Sequence, residues 1–194
     1  MVIHARVATM AAHFVSGGDA SGEGPPSELT TDGVKRSNDD RDVVTVDAVI
    51  AALGSVPVDI LRLIEGKSAD ELSQPAQDGG WGLVEILPHF RDWEEIIDAR
   101  VTAILTEDEP GLEEFDDSLW AIEHGYRDQD TRAAFEEFAA RRNALVERLS
   151  ALAEEDWNRI GILPKQGRVT LHWLMNSVCN HDAKHVVQAR DVLA

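Results

Sequence analysis

The stretch VTLHWLMNSVCNHDAKHVVQARDVLA, residues 169–194, decides the reading of this chain. Its apolar positions recur at Leu171, Leu174 and Val178, in steps of three and four, and the same steps continue through His181, His185, Gln188 and Val192. That is the period of an amphipathic helix over about 169–193. His181 and His185 therefore stand where the pattern calls for apolar side chains. Residues four apart on a helix have Cβ atoms roughly 5–6 Å from each other, so both imidazoles can reach one ion. Two polar rings side by side on a buried stripe need something to satisfy them. A metal ion does so, and so does a pair of hydrogen bonds to carboxylates inside the fold.

Upstream, three more segments carry the helical period. Helix one spans about 45–65, with Val46, Val49, Ile50, Leu53, Val56, Ile60, Leu61 and Ile64 on one stripe; Pro57 should kink or interrupt it and Gly66 should end it. Helix two spans about 81–106, with Val84, Leu87, Phe90, Trp93, Ile97, Val101 and Ile104 in register. Helix three spans about 129–153, with Phe135, Phe138, Leu145, Leu149 and Leu152. The long connection between helices two and three holds Phe115, Trp120 and Tyr126 and is partly helical. Gly161, Pro164 and Gly167 mark a loop before helix four. The expected fold is all-α, an antiparallel four-helix bundle.

His89, between Ile86 and Trp93 in helical phase, lies on or beside the buried stripe of helix two and can complete a three-histidine set. Three imidazoles leave coordination positions open, the pattern of a catalytic rather than a structural metal site. Asp92, Asp182 and Gln188 are near enough in sequence to receive the second ring N–H groups. His172 is about half a turn out of phase, and Cys179 points away from the pair as a small packed residue. Arg142 falls on the helix-three stripe, where it either meets a buried carboxylate or anchors an anionic substrate beside the metal. Glu94, Glu95 and Asp98, like Glu136 and Glu137, read as a solvated face. Phosphate-binding glycine loops, nucleophile elbows and paired-cysteine zinc motifs are absent from the sequence.

Residues 1–43 differ in texture. SGGDASGEGPPSELTTDGVKRSNDDRD, at 16–42, cannot bury enough apolar surface to offset its ordering entropy, so 1–43 is expected to be a disordered tail and 44–194 the folded domain. Met1–Val15 is mildly apolar but interrupted by His4 and His13, with no clear cleavage site after it, and a start at Met10 or later would look the same. The chain of 194 residues carries 18 Lys and Arg against 36 Asp and Glu, a formal charge of -18. Such a surface repels nucleic-acid phosphates and anionic lipid, so neither is an expected partner. With Cys179 its one cysteine, the chain fits a reducing cytoplasm.

WGLVEILPHFRDWE (81–94), FDDSLWAIEHGY (115–126), FAARRNAL (138–145) and WNRIGILPKQGRVTLHWLMNSVCNHDAKHVVQ (157–188), in that order, resemble the DinB-like superfamily of small bundle proteins. The resemblance implies a bundle, often a homodimer, with zinc or nickel on His89, His181 and His185. It also implies a small-molecule substrate and, by analogy with thiol-dependent transferases and a mycothiol-dependent isomerase, a low-molecular-weight thiol as co-substrate. A hydrolase using water, or a non-catalytic dimeric metal-binding or regulatory module, is the alternative. Two features depart from the family pattern: Pro88 directly before His89, which should tilt it unless the helix starts late, and Leu163-Pro164 where relatives often have His-Pro.

Overall fold

A computed structural model describes residues 33–36, 44–76 and 79–193. In chain order it holds β1 (Val34–Lys35), α1 (Val46–Ile64), α2 (Ala69–Leu72), α3 (Leu83–Thr106), α4 (Asp117–Glu123), α5 (Thr131–Ser150), β2 (Ile160–Leu163), β3 (Gly167–Thr170) and α6 (Leu171–Val192), with 3-10 turns at Tyr126–Asp128 and Glu154–Asn158. The four long helices are α1, α3, α5 and α6. Their starts follow from capping chemistry. Thr45 accepts from the Ala48 N–H, Asp130 from those of Arg132 and Ala133, and Thr170 from that of Trp173, each satisfying donors a helix start leaves orphaned. Gly82 opens α3, and its N–H donates to Glu85 Oε2 at 2.8 Å. Neither proline breaks its helix. Pro57 lies inside α1 and Pro88 inside α3, beyond the first turn, so each removes one helical donor while the helix runs on.

Cross-helix pairs give the directions. Between α3 and α5 the partners Phe90–Phe138, Glu94–Arg142 and Asp98–Arg148 rise together in number, so these neighbours run parallel. Between α1 and α5, Arg132 bonds the Ile64 carbonyl and Arg142 that of Leu53, an antiparallel pair. His89 with His181, and the Trp81 carbonyl with Gln188, make α3 and α6 antiparallel. The order is up-down-down-up. Because α5 starts beside the beginning of α3, residues 107–130 must retrace the length of α3, which explains the long connection. Glu113 meets Arg100, Trp120 meets Asp92 and Arg127 meets Glu85 on the way back.

The apolar core has two parts. One gathers Leu53, Ile97, Leu145 and Val178; the other gathers Val56, Phe90, Phe138 and Ala189. Between them on α3, α5 and α6 lie Glu94, Arg142 and Asp182, which are 2%, 0% and 0% exposed. Glu94 thus departs from the solvated face expected of it, while Glu95 is exposed and pairs with Arg141.

Two expectations change at the bundle's end. The segment around Gly161 and Gly167 is a β-hairpin, Ile160↔Thr170 to Leu163↔Gly167, and not only a loop. Gly161 occupies an inward position where a Cβ would stand 2.7 Å from Leu112 and 3.0 Å from Ile104; the residue that read as a loop signal is there for close approach. Within 1–43, residues Val34 and Lys35 pair parallel to β3, with Val34 fully buried, so the tail reading does not hold there. The rest of that segment, 1–32 and 37–43, lies outside the described residues. Among the described residues no helix is long and apolar enough to cross a membrane.

Candidate metal centre

His89 is carried by α3, and His181 and His185 by α6. One ring nitrogen from each lies within 4.8 Å of the other two, and no fourth His, Cys, Asp or Glu joins them among the described residues. His89 is 2% exposed; the other two are half-buried. The buried stripe of α6 therefore runs through Asp182 and Ala189, and the two histidines flank it rather than lie at its centre. Aromatic rings wall the cluster. Trp93 stacks on His181 at 5.3 Å, Trp81 on His185 at 5.9 Å, and Phe90 stands edge-on to both histidines.

Hydrogen bonds fix which nitrogens face inward. Gln188 Nε2 donates to the Trp81 carbonyl at 3.1 Å, so its Oε1 must accept from His185 Nδ1, also 3.1 Å away. His181 Nδ1 meets Asp182 Oδ1 at 3.1 Å. Both rings are thus held with Nδ1 protonated, which leaves the lone pair on Nε2, and that of His181 faces His89. His89 Nε2 and His181 Nε2 are 3.0 Å apart. Two imidazoles sharing an ion at ~2.1 Å have nitrogens roughly 3.0–3.4 Å apart, so this pair fits a small divalent cation. Burial, then the neighbouring His181 and His185, holds the His89 pKa well below the usual histidine value, and burial with His181 lowers that of His185 to about 4. At neutral pH the His89 and His185 rings are therefore uncharged, as metal ligands must be.

Arg142 does not face the cluster. Its Nε donates to Glu94 Oε1 at 2.9 Å and its Nη1 to Asp182 Oδ2 at 2.6 Å. With no exposed surface it cannot touch a substrate, so the anchoring role considered for it is replaced by a buried ion pair. Burial would raise the Asp182 carboxyl, but Arg142 and His181 hold it below the usual carboxylate value; at Glu94 burial outweighs Arg142 and raises it. Asp92 serves elsewhere, binding Arg91 at 2.7 Å and Trp120 Nε1 at 3.3 Å. It lines a tight crevice against His89 together with Trp93, Phe115, Trp120 and Tyr126. His172 sits by Trp157 and His124 stacks on Trp120, so neither joins the cluster. The Cys179 thiol lies 3.7 Å from the Val49 carbonyl, its pKa pushed up to about 12 by burial.

Fold and site together define a four-helix bundle with a three-histidine centre on two antiparallel helices. The family model of the DinB superfamily matches residues 52–189, and the chain belongs to that family. A relative in Geobacillus thermodenitrificans is 32% identical over 72 residues, and YfiT of Bacillus subtilis is 28% identical over 75. Both carry the provisional name of metal-dependent hydrolase. The aligned stretches span 37% and 39% of this chain, and only 40% and 42% of those relatives. The solved YfiT structure, described as a probable metal-dependent hydrolase with an unusual four-helix bundle topology, superposes with a TM-score of 0.71. It covers 88% of this chain and 91% of that one at 18% identity, a likeness of fold.

Proposed function

We propose that the protein is a metal-dependent enzyme that holds a divalent cation, zinc or nickel, on His89, His181 and His185. The observation that carries this reading is the convergence of the three ring nitrogens with no fourth protein ligand beside them among the described residues. A cation bound there supplies Lewis acidity and lowers the pKa of a water or thiol at an open position. The chain's own residues do the rest. Asp182 and Gln188 orient two of the ligand rings, and Trp81, Trp93 and Phe90 wall their flanks.

The finer reading is a transferase or isomerase whose nucleophile is a low-molecular-weight thiol; it rests on the family resemblance. The relatives' names favour hydrolysis instead. Both draw on the same centre and differ in the nucleophile. Metal analysis of purified protein, then turnover of an activated ester with water and of an electrophile with small thiols, decides between them. Stoichiometric zinc or nickel with metal-dependent turnover supports the proposal, and thiol dependence selects the finer form. Absence of stoichiometric metal under chelator-free purification refutes it. We also propose a homodimer, from the resemblance alone; a monomer by sedimentation at about ten micromolar removes that proposal.

A further inference from the structure

Among the described residues Arg142 is the one fully buried cation, and only Asp182 stands between it and the histidine cluster. Its contacts have a direction. Glu94 takes its Nε, and the carbonyl of Leu53 lies 3.3 Å from its Nη1. That carbonyl is free because Pro57, four residues on in α1, has no N–H to give it. The same Nη1 donates to Asp182 Oδ2 at 2.6 Å, leaving Oδ1 to meet His181 Nδ1 at 3.1 Å. Residues from α1, α3 and α5 thus set the orientation in which the Asp182 carboxylate meets the histidine.

We propose that Arg142 is a positioning residue of the metal centre: by holding Asp182 through one oxygen it turns the other to His181 Nδ1, and a carboxylate, which can only accept, takes the hydrogen bond of an Nδ1–H and so leaves the His181 Nε2 lone pair facing His89. The inference deepens the metal-centre reading and rests on it for its purpose. An imidazole carries one proton when neutral, so the group at Nδ1 decides whether Nε2 is a ligand or a donor. Carboxylates that hold ligating histidines in this way contribute about 10–100-fold to metal affinity.

Asp182→Asn separates the two roles because shape is kept while the donor pattern is not. Arg142 would keep the amide oxygen, so the amide N–H₂ would face His181 Nδ1 and drive its proton to Nε2. The expected result is zinc affinity lower by about 10–100-fold in chelator competition, with the His181 ring nitrogens exchanging their ¹⁵N shifts in zinc-free protein. The triple variant Glu94→Gln, Arg142→Met, Asp182→Asn frees the amide to turn its oxygen to His181. It should restore the Nδ1–H tautomer and recover most of the lost affinity. Native tautomer and affinity in Asp182→Asn would overturn the proposal. A triple variant that stays in the Asp182→Asn tautomer would overturn the part played by Arg142. Should Asp182→Asn not fold, the native zinc-free protein still decides: a proton found on His181 Nε2 overturns the inference. Zinc failing to bind the native chain would refute the metal-centre reading, while the tautomer measurement would still test this one.

Discussion

Arg142 Nη1 stands 3.3 Å from the carbonyl oxygen of Leu53, the acceptor left open by Pro57 within α1. A proline that should interrupt a helix instead supplies a buried site for a cation from another helix. Removing the cation strands Asp182 and Glu94 in a dry layer between the two halves of the core. Arg142→Met should therefore destabilise the fold by about 3–5 kcal/mol, measured by urea unfolding. Pro57→Ala should gain less than the ~3 kcal/mol a helix-interior proline usually costs, because the new N–H competes with Arg142 for one carbonyl.

The ligand set predicts opposite outcomes for two histidines on one helix. His181→Ala should lose the metal. His172→Ala, which alters a ring packed near Trp157, should keep it. Metal content after dialysis against buffer checks both. Full metal content in His181→Ala would contradict the assignment.

Stability of the metal-free protein should fall with acid. His89 and His185 have folded-state pKa values below the ordinary ~6.5 of an unfolded chain. Between ~6.5 and about 4 the unfolded state binds protons that folded His185 refuses, so protonation favours unfolding. The stabilisation is complete above ~6.5 and is lost as the pH drops through that window. Bound metal competes with the protons, so the apo and loaded proteins should diverge in melting temperature as the pH rises.

Gly82 carries a prediction that links backbone packing to the site. A Cβ there would stand 2.6 Å from the Gln74 carbonyl oxygen and 3.1 Å from the Ala76 nitrogen, both backbone atoms. Gly82→Ala should cost about 1–3 kcal/mol. It should also weaken metal binding, since Trp81, next in the chain, holds Gln188 and through it His185. Thermal melts with and without zinc measure both effects.

A chain beginning at Val44 should keep the bundle yet melt a few degrees lower than one beginning at Gly33. The difference is β1: without it Val169 loses its strand partner, and the Trp173 ring loses Lys35, whose Nζ lies 5.9 Å from its centroid. Equal melting temperatures would make the strand energetically neutral.

Much of the fold is legible in the sequence. Helical period placed four long helices within a few residues of their ends, because burying one face of a helix imposes a repeat on the chain itself. The spacing of His181 and His185 is equally local, and one turn of helix brings them together whatever the surroundings. Gly161 misled because glycine as a loop signal and glycine as a close-approach residue look the same in one dimension. Glu94 misled because it adjoins Glu95, and adjacent acids read as a solvated run.

By itself, then, the sequence determined the helices, their apolar faces, the four-residue histidine pair and the long connection, since each depends on residues near one another along the chain. Only the tertiary structure decided that α3 and α5 run parallel, that the connection doubles back over His89, and that Glu94, Arg142 and Asp182 meet between two apolar clusters. Those relations join residues 40 and 48 positions apart. A buried charge is tolerated only when its partners arrive from other helices, and helical period says which face of a helix is buried but not which helix it will meet.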